Sequence, residues 1–386
     1  MRFSSRTSFA GGNPSEFSRL LDLKKKEEQP LWDLTESNPT RCGFSSLDLK
    51  LLEPFSDPHN LIYAPDPQGL LEAREAVCAY YADKKIAVSP DRVFLTSGTS
   101  EAYTFLFHLL ADPGDEVLCV SPGYPLFEHL ASMADINLHR LQTSHRRGWA
   151  LEAGQVEKSR TVKTKALILV NPNNPTGHYP QMSEGPLPLI SDEVFLDFNL
   201  TGANPKSAAS LTDTLTFTLS GISKILGSPQ MKLSWIIVNG PDELCREACR
   251  RLEVIADAYL SVNTPSQRAL GVWLEHRMLF IEEARRRILT NLKVLGRAVE
   301  DLDAELLKPQ GGWYAVLRLQ GALHDEQAAM HLLQKMNVLV HPGFFFDFEE
   351  ENMLVLSLLP AENVFSQGVG RLCEGLQAER ADIKVK

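Results

Sequence analysis

The chain has 386 residues, 44% hydrophobic and 23% charged, with a formal net charge of −10. That length supports two domains with sizeable cores, and the composition excludes a disulfide-stapled miniprotein, a fibrous repeat and extended disorder. A net negative charge repels a phosphate backbone, so nucleic acid is an unfavourable partner. In chain order, Asn13-Pro14-Ser15 starts a predicted helix over Glu16–Glu28, with apolar residues at Phe17, Leu20, Leu21 and Leu23. From residue 92 onward, short apolar runs alternate with helical or polar stretches: Arg92–Ser97, Glu116–Ser121, Ile136–Leu141, Lys165–Val170, Leu187–Ser191, Thr214–Leu219 and Leu233–Val238. Several are apolar almost throughout, as in Ala166-Leu167-Ile168-Leu169-Val170, the pattern of a strand buried on both faces. The alternation predicts an α/β fold with a mostly parallel, seven-stranded, doubly wound sheet. A helical stretch over 265–302 follows, then strands at Gly312–Leu319, Val338–Val340 and Met353–Leu358 with a helix near Asp325–Lys335, which predicts a smaller α+β domain.

The six cysteines form no C-x-x-C pair, and Cys245 and Cys249 at i,i+4 supply only two sulfurs, so no metal site is expected. No apolar run reaches the length of a membrane span, and the N-terminal stretch lacks the apolar core of a secretory signal. A cytoplasmic protein is expected.

Nucleotide, metalloprotease and nucleophile-elbow signatures are absent from the sequence. Four motifs instead follow predicted strands, where open α/β sheets bind their ligands. Thr96-Ser97-Gly98-Thr99-Ser100-Glu101 opens a helix over Ala102–Ala111, and the free N–H groups of a helix start suit a phosphate. Asn171-Pro172-Asn173-Asn174-Pro175-Thr176-Gly177 forces an irregular turn able to aim Asn174. Ser191-Asp192-Glu193-Val194-Phe195 puts a carboxylate at a strand end. Ser220-Gly221-Ile222-Ser223-Lys224 carries a lysine that an enclosed pocket would convert to a nucleophilic amine, and Lys232 lies eight residues on. Taken singly, these read as an N-cap, a rigid loop, a solvated acid and a surface lysine.

Their order changes that reading. Together with Tyr63-Ala64-Pro65-Asp66-Pro67-Gln68-Gly69, Ser121-Pro122-Gly123-Tyr124-Pro125 and His341-Pro342-Gly343, they resemble the class I/II aminotransferase family of fold-type I pyridoxal-phosphate enzymes over nearly the whole chain. The resemblance implies a large domain at 46–270 and a small domain built from 1–45 and 271–386. It implies that Lys224 forms the Schiff base with pyridoxal 5'-phosphate and shuttles the proton, while Asp192 binds the pyridine nitrogen, Asn174 the ring 3'-oxygen and Tyr124 the ring face. Gly98, Thr99, Ser100 and Lys232 hold the phosphate on this reading, and Tyr63 reaches the site of a neighbouring subunit in a homodimer. The implied reaction moves an amino group between an amino acid and a 2-oxo acid. A β-lyase or decarboxylase on the same scaffold and a non-catalytic cofactor-binding protein are the alternatives.

Four departures accompany the resemblance. Lys232 replaces an arginine and loses its planar fork; Phe195 replaces a tyrosine whose hydroxyl bonds the 3'-oxygen. Val355 stands where an arginine clamps the substrate carboxylate, which leaves Arg41, then Arg6 and Arg318, as candidates, with Asn38 supplying an amide. Finally, residues 178–191 are short for a parallel crossover, which usually contains a helix, so one face of the sheet is expected to be exposed there.

Overall fold

The computed structural model describes residues 3–7, 15–27, 29–182, 185–203, 205–320 and 324–385. Its strands in chain order are β1 (Trp32–Asp33), β2 (Val93–Thr96), β3 (Glu116–Ser121), β4 (Asn137–Gln142), β5 (Thr164–Val170), β6 (Leu189–Asp192), β7 (Thr216–Gly221), β8 (Ser234–Asn239), β9 (Ala304–Leu307), β10 (Tyr314–Leu319), β11 (Val338–Leu339), β12 (His341–Pro342) and β13 (Met353–Ser357). The seven-stranded sheet runs β2-β8-β7-β6-β5-β3-β4, and β8 alone is antiparallel to its neighbours. All seven expected strands are present, with no end displaced by more than two residues.

Side chains alternate across this sheet as a period of two requires. Phe94, Val117, Cys119, Ala166, Ile168, Ile190, Phe217, Leu219, Ile236 and Val238 form one apolar face, clustered with Phe105, Leu106, Phe127 and Leu252. Those partners come from helices Thr99–Leu110, Leu126–Met133 and Asp242–Asp257. The last of these buries Cys245, Ala248, Leu252 and Ala256, one stripe at helical spacing, and starts with Asp242 and Glu243 where acids complement the helix dipole.

The other face differs along its width. At β2 and β8, Val93, Leu95, Trp235 and Ile237 join the large cluster that also contains Val77 and Tyr81 of helix Leu71–Asp83 and Leu270 and Trp273 of helix Thr264–Glu275. Between β5 and β6, which pair in parallel, the described residues 178–182 and 185–188 hold no helix and form an irregular strap. Beneath it Val120, Leu169, Leu189 and Ala208 make a small cluster, and a cleft of about 350 Å³ opens beside Trp149, Leu151, Leu167 and Leu189. The exposure expected from the short crossover is confined to this cleft, since Val120, Leu169 and Leu189 are buried.

The smaller sheet is antiparallel, in the order β12-β13-β10-β9. Three sequence expectations change here. The stretch 265–302 is two helices, Thr264–Glu275 and Arg277–Ala298, broken at His276, where the Arg277 guanidinium donates to the Leu274 carbonyl at 2.7 Å. The strand expected at 338–340 is the short β11, which pairs in parallel with β1 near the chain start and not with the four-stranded sheet. Strand β9, half-buried along the edge beside β10, was not anticipated. The N-terminal helix is Glu16–Lys24, capped by Ser15, and Asn13 and Pro14 lie outside the described residues.

Candidate active site

Register brings three of the four motifs together. Val170, Asp192 and Leu219 occupy one row across β5, β6 and β7, so the loops that follow those strands emerge side by side. Two backbone bonds tie the emerging segments: the Asn171 N–H donates to the Asp192 carbonyl at 2.8 Å, and the Glu193 N–H to the Leu219 carbonyl at 2.8 Å.

Lys224 lies in the single helical turn Ile222–Ile225 after β7. Its Nζ sits 5.1 Å from the Trp313 ring centroid and 5.5 Å from that of Phe195. Burial lowers its pKa, against the opposing pull of Asp192, which favours the free amine a nucleophile needs. Asp192 is 6% exposed, and burial pushes its pKa up to about 6. Its carboxylate accepts from the Tyr103 hydroxyl at 3.2 Å and from the Val194 N–H at 3.2 Å. A buried carboxyl whose ionised form is disfavoured marks an unmet demand for a cation.

Asn174 is 8% exposed, and its Oδ1 is buried without a partner. Tyr124 leaves its ring 42% exposed, edge-on to Phe127 at 5.8 Å; Phe127 packs on Tyr103 at 5.0 Å. Gly98 caps helix Thr99–Leu110, with Thr99 and Ser100 in its first turn. A Cβ added to Gly98 would stand 3.8 Å from Lys232 Nζ, so a cation accompanies the free N–H groups of that helix start. The turn is pinned by Glu101, whose carboxylate accepts from the Ser97 N–H at 2.7 Å and the Ser261 hydroxyl at 2.6 Å.

The remaining candidates make other contacts. Tyr63 is 79% exposed on the segment before helix Leu71–Asp83. Asn38 caps the turn Pro39–Arg41, its Oδ1 accepting from the Thr40 N–H and hydroxyl. The Arg41 side chain is exposed and stands 3.9 Å from Glu36. Arg6 pairs with Asp135, and Arg318 with Glu305. Val355 is fully buried in β13 with Val316, Phe346 and Met353, so that position holds no polar group.

Sequence reading missed Tyr103, Trp313 and Tyr314. Trp313 and Phe195 wall the lysine at 5.2 Å from one another, and half-buried Tyr314 faces Phe195 at 6.3 Å. Tyr103 carried one legible signal: it follows the Gly98 turn on the face of a helix that must pack on the sheet.

These residues fit a phosphorylated aromatic aldehyde. The helix start with Lys232 suits the phosphate, the orphaned Asn174 amide and buried Asp192 suit ring polar atoms, and Lys224 suits the aldehyde.

The aminotransferase class I and II profile matches residues 48–364. The chain is 30% identical over 363 residues to an alanine aminotransferase of Mycobacterium bovis, covering 88% of this chain and 84% of that protein. It is 26% identical over 375 residues to a glutamate-pyruvate aminotransferase of Haemophilus influenzae, covering 92% and 93%. An alanine aminotransferase structure from Pyrococcus furiosus superposes with a TM-score of 0.87 at 22% identity, covering 98% of this chain and 100% of that one. An aminotransferase structure from Escherichia coli gives 0.84 at 22% identity, covering 98% of both chains. The structural likenesses speak for the fold; the family match and the curated relatives, taken with the Lys224 and Asp192 geometry, show that the chain belongs to the class I and II aminotransferase family, as an aminotransferase of fold type I.

Proposed function

We propose that this aminotransferase moves an amino group between a small amino acid and a 2-oxo acid in two half-reactions, with pyridoxal 5'-phosphate as its cofactor, as a cytoplasmic homodimer. Alanine and glutamate are the first candidate donors, because relatives along most of the chain carry the names alanine and glutamate-pyruvate aminotransferase. When bound, the cofactor supplies an electron sink that makes the Cα–H bond acidic. Lys224 would hold it covalently, and its amine, whose charged form is disfavoured by burial, would take and return the Cα proton. Asp192 would keep the ring nitrogen protonated by meeting it with a buried carboxylate. Asn174 would bond the ring 3'-oxygen and Tyr124 cover the ring face. Gly98, Thr99, Ser100 and Lys232 would hold the phosphate.

Tyr63, exposed in the single chain, would reach the partner subunit's phosphate. Asn38 and Arg41 remain the substrate-side candidates, although the carbonyl of one is committed to Thr40 and the guanidinium of the other lies toward Glu36.

The observation that carries this reading is Lys224 beside a buried Asp192, with Lys232 at a helix start. The test is incubation with L-alanine and 2-oxoglutarate. Formation of glutamate and pyruvate supports it; pyruvate and ammonia released from a β-substituted amino acid, with no glutamate formed, overturns it in favour of a lyase.

A further inference from the structure

The loop that carries Asn174 is held by a buried chain of side chains that neither the catalytic set nor the family motif explains. The Asn173 Nδ2 donates to the Pro122 carbonyl at 3.1 Å, which fixes the orientation of its amide, because a carbonyl can only accept. The Asn173 Oδ1 therefore faces Thr176 and receives the Thr176 hydroxyl at 2.7 Å and its N–H at 3.3 Å. The threonine hydroxyl has one proton, already given to Asn173. At 2.6 Å from His178 Nδ1, Thr176 Oγ1 must then accept, so His178 carries a proton on Nδ1, and burial, which pushes its pKa down to about 4, keeps the ring neutral. The ring is 7% exposed and stacked on Trp149, with centroids 6.3 Å apart and planes 27° from parallel. Its Nε2 is a buried acceptor without a partner. Two backbone bonds close the loop over this chain: the Asn173 N–H donates to the His178 carbonyl, and the Gly177 N–H to the Asn173 carbonyl, both at 2.8 Å.

Pro122 lies two residues before Tyr124, and Asn173 one before Asn174. We propose that His178 is a positioning residue of the active site: by donating from Nδ1 it commits the Thr176 proton to Asn173, and Asn173 clamps the Asn174 loop to the segment that presents Tyr124. This rests on the proposed roles of Asn174 and Tyr124 toward the ring. His178 itself touches neither substrate nor cofactor in this arrangement.

The test uses the full chain with three substitutions at one position. In His178→Asn the amide Nδ2 takes the place of Nδ1 and can still donate; in His178→Gln a polar group returns at the Nε2 position, and in His178→Phe stacking is kept without a donor. We expect His178→Phe and His178→Gln to weaken pyridoxal-phosphate binding, read from the absorbance of the bound cofactor, and to lower kcat by about tenfold or more through misplacement of the loop. The Asn variant should return both to within about threefold of wild type. Amide hydrogen exchange of Asn173 and Gly177 in the cofactor-free protein should quicken in the Phe and Gln variants and not in the Asn variant. Equal losses in all three variants, or no loss in any, overturn the proposal. A wild type that takes up no pyridoxal phosphate overturns the reading of the site instead, and the exchange pattern alone then decides whether the clamp exists.

Discussion

The two faces of the seven-stranded sheet are built to different standards. One is packed throughout by helices and carries large apolar residues from strand to strand, among them Phe94, Ile168, Ile190, Phe217 and Ile236. The other, over the centre of the sheet, meets a strap instead of a helix. It presents Leu167, Leu169 and Leu189 beside the small polar residues Thr216, Thr218, Ser191 and Ser220. Thr218 Oγ1 and Ser220 Oγ are buried there without partners. Yet β5, β6 and β7 keep their parallel register under the strap, and with it the placement of Asn174, Asp192 and Lys224. The helix-covered face supplies packing free energy, while backbone pairing between strands sets the site, so thinning one cover leaves the strand ends in place.

If that division holds, the largest effect of any single change belongs to a residue just past a strand end, on neither face. Lys224→Ala should lower amino transfer by at least about 10³-fold, as expected when a positioned proton-transfer group is lost. Its unfolding midpoint should stay near that of wild type when both are compared as cofactor-free protein. A variant that keeps turnover would break the assignment.

The next contrast sets the faces against each other. Leu252 is fully buried on the helix-covered face, and Leu252→Ala should cost about 3 kcal/mol in denaturant unfolding. Leu151, half-buried at the cleft under the strap, should cost about 1 kcal/mol or less on the same substitution. Equal costs would mean that the strap packs as well as a helix.

Glu193 tests the polar side of the comparison through pH. It is 2% exposed, its Oε1 accepting from the Ser191 hydroxyl at 3.0 Å and the Ala208 N–H at 2.7 Å. Burial is the leading cause that pushes its pKa up from 4.5 to about 7. The folded protein thus keeps a proton that the unfolded chain has released between those values. That contribution to stability is fully present below the unfolded pKa and is lost as pH rises through about 7. Glu193→Gln cannot titrate, so it should gain on wild type across this window by up to about 3 kcal/mol, measured as the difference between two unfolding curves at each pH. A pH-independent difference would show that the carboxylate is already relieved by its neighbours.

The smallest effect is expected at Thr218. Replacing its unpartnered buried hydroxyl in Thr218→Val should stabilise the protein by about 1 kcal/mol. Destabilisation would reveal a partner for that hydroxyl and narrow the difference between the faces.

The strands of the large sheet were legible because burial on both sides leaves unbroken apolar runs, as in Ala166–Val170. The spacing of Lys224 and Lys232 and the turn after Val170 were legible because proline, glycine and asparagine mark irregular backbone wherever they occur. Strand β1 and its pairing with β11 were not, since each strand has two residues and the pair joins segments from opposite ends of the chain. Nor was the break at His276, where no proline or glycine interrupts the helical pattern. Tyr103, Trp313 and Tyr314 escaped because nothing local distinguishes a core aromatic from one that walls a site.

Gly177 shows where the boundary lies. Its φ of +70° could be anticipated from a turn glycine, but a Cβ there would also stand 2.5 Å from the Gly311 carbonyl oxygen, a contact with a remote segment. By itself, the sequence determined the strands of the large sheet, the loops that follow them and the chemistry those loops can carry, because these depend on patterns within a few residues. The tertiary structure alone decided that Tyr103 bonds Asp192, that Trp313 and Phe195 enclose Lys224, and that Val355 is sealed in an apolar cluster. Burial and charge environment arise between segments distant in sequence, and they lower the pKa of Lys224 and raise that of Asp192.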